Sequence, residues 1–355
     1  MNEQILDTPA DVRNEDKLNE AAITAFMQQH VSGLQGNLHV KQFKGGASNL
    51  TYQLNFDNAS YILRCPPIGT KAKGAHDMGR EYNIMQKLKP VFPYVPDMIA
   101  FCNDESIIGR EFYIMQKLVG IIPRANMPRG LQLTPDTTHT LCTNVIDKLI
   151  ELHSVDINAT GLNALGKGTG YCQRQIDGWS ERYKKARTWN VPKCTYVMQW
   201  LKDNIPTEER SCLIHNDFRF DNVVLNPDNP TEVIGVLDWE MATIGDPLMD
   251  LGNSLAYWVQ ADDDFFMRTI RRQPTHLPGM LTRKQVVEYY CSKSGLNQTN
   301  FTFYEVYGLF RLAVIVQQIY YRYHHKQTSN PAFKNFWLMV NYLNWRCNKL
   351  IKANK

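Results

Sequence analysis

Leu213-Ile214-His215-Asn216-Asp217-Phe218-Arg219-Phe220-Asp221-Asn222, followed by Val236-Leu237-Asp238-Trp239-Glu240, is the stretch on which the reading of this chain turns. Asp217 and Asn222 stand five positions apart, and Asp238 lies sixteen beyond Asn222. Between them Val223-Val224-Leu225 and Val233–Leu237 read as short apolar strands joined by the turn-forming Asn226-Pro227-Asp228-Asn229-Pro230. Taken singly, each acidic or amide residue is an ordinary turn former or strand cap. Jointly, a His-x-Asp, an Asn at the fifth position, a hairpin and Asp-Trp-Glu form an ordered set that turn formation does not require. One carboxylate of such a set can take a proton from a hydroxyl. The other oxygen groups suit a divalent cation held against phosphates.

Upstream, the chain is strand-rich from about Leu38 to Leu118. Leu38–Lys44, Thr51–Phe56 and Tyr61–Arg64 read as strands, the first two flanking Gly45-Gly46-Ala47-Ser48-Asn49. His76–Lys89 carries Tyr82, Met85 and Leu88 at helical spacing, and Glu111–Met115 reads as a buried strand. From Thr138 onward most of the chain reads as helix. Thr138–Val155 is amphipathic, Gly161–Gly170 is a glycine-rich loop, and a helix holding Trp179 and Tyr183 follows. Tyr307–Ile319, with Arg311 inside it, is expected as a buried core helix, and Asp262-Asp263-Asp264 as a solvated loop.

A length of 355 residues with 43% hydrophobic residues permits one large domain or two lobes. The net charge of +4 and the lack of a basic recognition motif argue against nucleic acid as a partner. The eight cysteines include no Cys-x-x-Cys pair, so neither zinc nor a disulfide framework is signalled. The polar N-terminus lacks the apolar core of a signal peptide, and no apolar run suits a membrane span. These features set the expectation of a cytoplasmic protein with no membrane partner; the oligomeric state is left open.

HNDFRFDN and VIGVLDWEMATIGDPLMDL closely resemble the aminoglycoside phosphotransferase and choline kinase superfamily, whose usual forms are His-Gly-Asp-x-x-x-x-Asn and Ile-Asp-Trp-Glu. The resemblance runs from about Phe43 to Trp258. FKGGASNLTYQL, YILRCPP, GREYNIM, FYIMQKLVG, LHSVD and GYCQRQIDGW are most similar to a branch of stand-alone bacterial phosphotransferases. The same branch includes the kinase-like domain fused to some acyl-CoA dehydrogenases. The resemblance implies an α+β, bilobal protein kinase-like fold: a small lobe of antiparallel sheet plus helix, and a large, mostly helical lobe. The corresponding divisions are a flexible tail over 1–18, a nucleotide-binding small lobe over 19–118, and a catalytic and acceptor lobe over 119–355.

It further implies ATP and Mg²⁺ as cofactors, Asp217 as catalytic base, and Asn222 and Asp238 as metal ligands. Gly45, Gly46, Ser48 and Asn49 would cover the phosphates. Arg64 stands where protein kinases carry a phosphate-binding lysine, with Lys71 or Lys73 as further candidates, and Glu81 matches the glutamate that pairs with that cation. The alternative is a surface-facing strand charge for Arg64 and a solvated helix charge for Glu81. Met115, Gln116 and Leu118, within MQKLVG, would offer backbone groups to adenine as the hinge. His215, Asp246 and Asp250 are expected to brace the catalytic loop. Asn216 departs from the family's usual glycine.

The acceptor is expected to be a small-molecule alcohol. The basic residues Arg174, Arg182, Lys184, Lys185 and Arg187 point to an anionic one, such as a hydroxyacyl-CoA, rather than a polycationic aminoglycoside, although they equally describe a solvated helix face. Two alternatives stay open. A protein kinase is disfavoured by the lack of a full Gly-x-Gly-x-x-G, of His-Arg-Asp and of Ala-Pro-Glu. A non-catalytic ATP-binding scaffold would not need Asp217, Asn222 and Asp238 together.

Overall fold

The computed structural model describes residues 6–43, 49–67, 77–207, 210–296 and 300–354. In chain order, helix α1 (Glu20–His30) precedes strands β1 (His39–Gln42), β2 (Leu50–Asn55) and β3 (Ser60–Cys65). Helix α2 (Met78–Leu88), β4 (Met98–Cys102), the short α3 (Glu105–Ile108) and β5 (Phe112–Gln116) complete a five-stranded antiparallel sheet of order β1-β2-β3-β5-β4. Then come α4 (Pro135–His153), α5 (Tyr171–Ala186), α6 (Thr195–Asp203) and β6 (Cys212–Ile214). The hairpin β7 (Val223–Leu225) and β8 (Val233–Val236) is followed by β9 (Thr243–Gly245), which pairs with β6. Helices α7 (Pro247–Ala256), α8 (Phe265–Thr269), α9 (Arg283–Ser294), α10 (Thr302–His324) and α11 (Phe336–Ala353) end the chain.

Two compact units share these elements. The first takes the described residues through Leu133 together with Phe220–Met241. The second takes Thr134–Arg219 and the chain from Ala242 onward.

In the first unit, strand periodicity sorts side chains by face. Tyr52, Leu54, Leu63, Cys65, Phe112 and Ile114 join Ile23, Phe26 and Met27 of α1 in one apolar core. Each large side chain buried there contributes on the order of 1.5–3 kcal/mol. Arg64, being out of phase with Leu63 and Cys65, leaves the sheet on the opposite face, where Glu81 of α2 meets it. Helix α2 begins at Met78 because the Asp77 side chain caps it, accepting the Arg80 N–H. Within the stretch expected as a tail, Ala10 bridges to Gln42, and buried Asp16 accepts a hydrogen bond from the Gln42 side chain.

In the second unit, α4 starts at Pro135 rather than Thr138, because the Thr134 hydroxyl caps it and proline fits its first turn. The stretch around Arg311 is buried along almost its whole length, as its apolar composition implies. It crosses α7 through two glycines. A Cβ on Gly308 would strike the Gly252 carbonyl, and one on Gly252 would strike the Tyr304 carbonyl. The acidic run is less solvated than its composition suggests. Asp263 is held by Arg283 and Arg346, and Asp264 caps α8. Among the described residues, no helix is long and apolar enough to cross a membrane.

Candidate active site

Pairing of Val223 with Val236, extended by a hydrogen bond from the Leu237 N–H to the Asn222 carbonyl, brings Asn222 and Asp238 to the same end of the β7–β8 hairpin. Asp238 there takes a left-handed conformation, with φ of 69°. Outside glycine this region favours Asn and Asp, and its use by a bulkier residue would be strained. The guanidinium of Arg64 joins the set, with Nη1 2.9 Å from Glu81 Oε1 and Nη2 3.0 Å from Asp238 Oδ1. Burial works against the charge on Arg64, but Glu81 foremost, with Asp238, outweighs it and holds the arginine still more firmly protonated. Burial pushes the Glu81 carboxyl up, and Arg64 offsets only part of that rise. Arg64 is therefore no surface charge.

Asp238-Trp239-Glu240 is fastened to its unit at several points. The Asn49 amide donates to Glu240 Oε2 at 2.9 Å, and Arg80 Nη1 donates to the Glu240 carbonyl at 3.1 Å. Fully buried Trp239 meets Phe92 edge to face and donates its indole N–H to the Val236 carbonyl. Gly45, Gly46 and Ser48 lie outside the described residues, as do Lys71 and Lys73.

Met115 and Gln116 end β5. The Gln116 N–H donates to the Asp97 carbonyl, and its side-chain oxygen accepts the Asp97 N–H. Leu118 lies over Gly235, where any Cβ would run into its Cδ1. Ile121 then exchanges backbone hydrogen bonds with Leu225, which ties this segment to the hairpin bearing Asn222.

The second unit holds Asp217. Asp250, on α7 and fully buried, accepts the N–H of His215 at 2.8 Å and of Asn216 at 2.7 Å. Its Oδ2 also receives His153 Nε2 at 3.1 Å, and His153 Nδ1 lies 2.6 Å from the Tyr290 hydroxyl. A carboxylate only accepts, so His153 donates to Asp250 through Nε2, while its Nδ1 shares a hydrogen bond with the Tyr290 hydroxyl. Burial raises the Asp250 carboxyl, yet His153 and the loop N–H outweigh burial and hold it below the usual carboxylate range. His215 is also buried, and its Nδ1 accepts the Asp217 N–H at 3.2 Å, so it braces the loop. Asp246 caps α7 through the Met249 N–H.

The departure at Asn216 has a conformational reason. Its φ is 65°, in the region that favours glycine and that asparagine tolerates best among the larger residues. The asparagine adds contacts that glycine could not make. Its Oδ1 accepts from Asn253 at 3.1 Å and lies 3.4 Å from the Tyr171 hydroxyl.

Two arginines join this loop region without having a place among the candidates named from the sequence. Arg219 Nη2 lies 3.2 Å from Asp217 Oδ2, and its guanidinium sits over the Tyr257 ring. Arg311 donates from Nη2 to the Asn216 carbonyl at 3.0 Å. The one signal for it is an arginine inside a long apolar stretch. The basic residues that are candidates sort differently. Arg174 is spent on the Thr169 and Gly168 carbonyls, Lys184 pairs with Glu181, and Lys185 and Arg187 are exposed. Arg182 is exposed too, but its guanidinium reaches over Trp179.

With this geometry in hand, the phosphotransferase enzyme family matches residues 39–283. The chain belongs to that family. Other members and relatives agree in different degrees. A solved chain from Ralstonia eutropha, a proposed aminoglycoside phosphotransferase, is 31% identical with a TM-score of 0.81, covering 95% of this chain and 99% of that one. Acyl-CoA dehydrogenase family member 10 of Mus musculus is 34% identical over 86% of this chain and 29% of its own length. Member 11 of Homo sapiens is 33% identical over 88% of this chain and 40% of its own length. The chain thus spans less than half the length of these curated relatives. Choline kinase of Cryptosporidium parvum, 15% identical with a TM-score of 0.62 over 95% of this chain and 97% of its own, shares the fold. The α+β, two-lobed kinase-like fold expected from the sequence is the fold of this family.

Proposed function

We propose that this chain is an ATP- and Mg²⁺-dependent kinase that transfers the γ-phosphoryl group to a hydroxyl of a small molecule, with a hydroxyacyl-CoA or another anionic metabolite as acceptor. The observation that carries this reading is the convergence of Asn222, Asp238 and the Arg64–Glu81 pair at one hairpin end of the first unit. One amide and one carboxylate fit Mg²⁺, which takes few protein ligands and completes its shell with phosphate oxygens and water. Among the described residues, no three His, Cys, Asp or Glu side chains converge to hold a metal unaided, which is consistent with such a shared shell. When bound, the metal supplies charge neutralisation for the phosphates.

Arg64 binds phosphate oxygens, and Glu81 keeps its fork oriented. Gly45, Gly46, Ser48 and Asn49 take the role of covering the phosphates. Met115, Gln116 and Leu118 border the adenine. Among the described residues, the backbone groups of Lys117 and Leu118 have no hydrogen-bond partner, whereas the Gln116 N–H is already engaged. Asp217 orients the acceptor hydroxyl and takes its proton as the oxygen attacks phosphorus. Arg219 holds that carboxylate in place. The eight free thiols suit a cytoplasmic setting.

The test is ATP consumption by the purified protein with Mg²⁺ across aminoglycosides, amino alcohols, sugars and hydroxyacyl-CoAs. Turnover on one acceptor class should fall at least ~1,000-fold in Asp217→Asn while calorimetric Mg·ATP binding persists. Firm ATP binding with no acceptor turned over would favour the scaffold reading. Turnover that survives Asp217→Asn would remove Asp217 as base.

A further inference from the structure

Two arginines are almost fully buried yet have no carboxylate partner among the described residues, Arg110 and Arg311, each 4% exposed. Arg110 belongs to the sheet unit, where it faces Tyr52 and Cys65, and it touches nothing the proposed chemistry uses. Arg311 is different, because it adjoins the loop that carries Asp217. It lies three residues beyond Gly308, at the close crossing of α10 over α7. One of its five N–H groups donates to the Asn216 carbonyl, and its Cζ stands 5.2 Å from the centroid of Trp179. The Arg182 Cζ stands 4.6 Å from the same ring. Two cations therefore share one indole beside the residue that precedes Asp217.

A guanidinium taken out of water loses hydration that a single carbonyl restores only in part. The face of a tryptophan adds a smaller attraction, and two positive charges on one ring work against each other. The remaining donors of Arg311 form a planar fork suited to a carboxylate or a phosphate. The acidic groups of the loop are already balanced within the unit: Asp250 by His153 and two N–H groups, Asp217 by Arg219.

We infer that Arg311 determines acceptor specificity: its guanidinium takes as counter-ion a carboxylate or phosphate group carried by the alcohol that is phosphorylated. Trp179 backs the fork, and Arg182 adds positive potential from the exposed face of α5. A cationic acceptor meets like charge at this position and is rejected. The inference rests on the kinase reading above and gives it a residue-level selector.

The experiment uses the full chain with Mg·ATP and a set of small acceptors. These are glycerol 3-phosphate, 3-hydroxybutyrate and 3-hydroxybutyryl-CoA as anions, glycerol as the neutral compound, and choline and kanamycin as cations. Turnover and calorimetric binding are measured on wild type, Arg311→Gln and Arg311→Lys. The expected result is that the acceptor turned over is one of the anions, with carboxylate and phosphate sources told apart by which is preferred. Its kcat/KM should fall about 100-fold in Arg311→Gln, chiefly through KM, with part of the loss restored in Arg311→Lys. KM for ATP should stay unchanged, which a general disturbance of the loop would not allow. Preference for a neutral or cationic acceptor, or an equal loss with all acceptors, overturns the inference while leaving the kinase reading intact. If nothing is turned over, the kinase reading fails, and binding of the anions decides alone. Anion binding weakened in Arg311→Gln supports the subsite, and its absence from wild type overturns it. Should Arg311→Gln fail to fold, the same KM comparison is made with Arg311→Lys.

Discussion

Arg64 in the first unit and Arg311 in the second are both buried guanidinia beside a loop that carries candidate catalytic residues, and their surroundings differ in one respect. Arg64 meets two carboxylates, Glu81 and Asp238, both at about 3 Å. Arg311 meets a carbonyl and an indole face. The charge of Arg64 is thus balanced by the protein itself, with both Nη groups engaged and the buried Nε unpartnered, and the fork is pre-oriented for whatever phosphate it contacts. Arg311 keeps unused donors in a place where a buried cation is costly. Residue type and burial therefore do not separate an arginine balanced by carboxylates from one that meets none. The accounting of its partners does.

The largest effect is expected at Arg64. Arg64→Met leaves Glu81 as a buried carboxylate without its cation, and a loss of about 3–5 kcal/mol in unfolding free energy is expected, together with loss of Mg·ATP binding. The double variant Arg64→Met/Glu81→Gln should regain most of that stability in urea titrations and none of the nucleotide affinity. If the second change restores nothing, the pair is not what stabilises this face of the sheet. Arg311→Gln, by contrast, should act mainly on acceptor KM, since no carboxylate is stranded by its loss.

A smaller effect tests the contrast at the residue Arg311 holds. Asn216→Gly should lie within about 1 kcal/mol of wild type by thermal unfolding, because its φ of 65° suits glycine. Asn216→Val places a β-branched residue in the left-handed region and should cost about 1–3 kcal/mol and reduce turnover. Equal behaviour of the two would show that backbone conformation is not what selects the residue there.

The smallest expected effect concerns Asp246, a buried carboxylate of the second unit with no ion-pair partner among the described residues. Burial pushes its carboxyl up to about 6, with hydrogen bonds from Met249, Leu248 and Arg210 backbone groups opposing. The fold therefore favours the protonated form. The stability linked to Asp246 is present at low pH and is lost as pH rises through about 6. Asp246→Asn keeps an acceptor for the Met249 N–H and removes the buried charge. Stability at pH 8 should then rise by about 1 kcal/mol, and the decline between about pH 4 and 6 should flatten. An unchanged pH profile would contradict the assignment.

Much of the architecture is legible in local patterns. The strand character of Tyr61–Arg64 and Glu111–Met115, the helical spacing of Tyr82, Met85 and Leu88, and the turn at Asn226–Pro230 within the β7–β8 hairpin all correspond to observed elements. Helix α1 and the β6–β9 pair are not legible in this way. Residues Glu20–His30 include several polar residues and a weak apolar stripe, and three-residue strands carry almost no periodicity. In the candidate site, Asn222 and Asp238 are singled out by motif and spacing and Arg64 and Glu81 by the family resemblance, whereas Arg219 and Arg311 are singled out by neither. Of the basic run from Arg174 to Arg187, only Arg182 lies beside the buried Arg311–Trp179 pair. Side-chain destinations of exposed helix residues are not encoded in their neighbours along the chain.

The order of most strands and helices, the five-residue offset of Asp217 and Asn222, and the family to which these motifs belong are properties of the sequence alone. They depend on backbone periodicity and on short covalent spacings, which act within a few residues. Tertiary structure alone decides which arginine meets carboxylates and which meets a carbonyl and an indole. Arg64 meets Asp238 across 174 residues of chain, and Arg311 meets Asn216 across 95. At such separations no local preference specifies the partner. The packing of whole elements, set by the apolar faces of α1 and the sheet in one unit and by the glycine crossing of α7 and α10 in the other, brings the charged groups to their places.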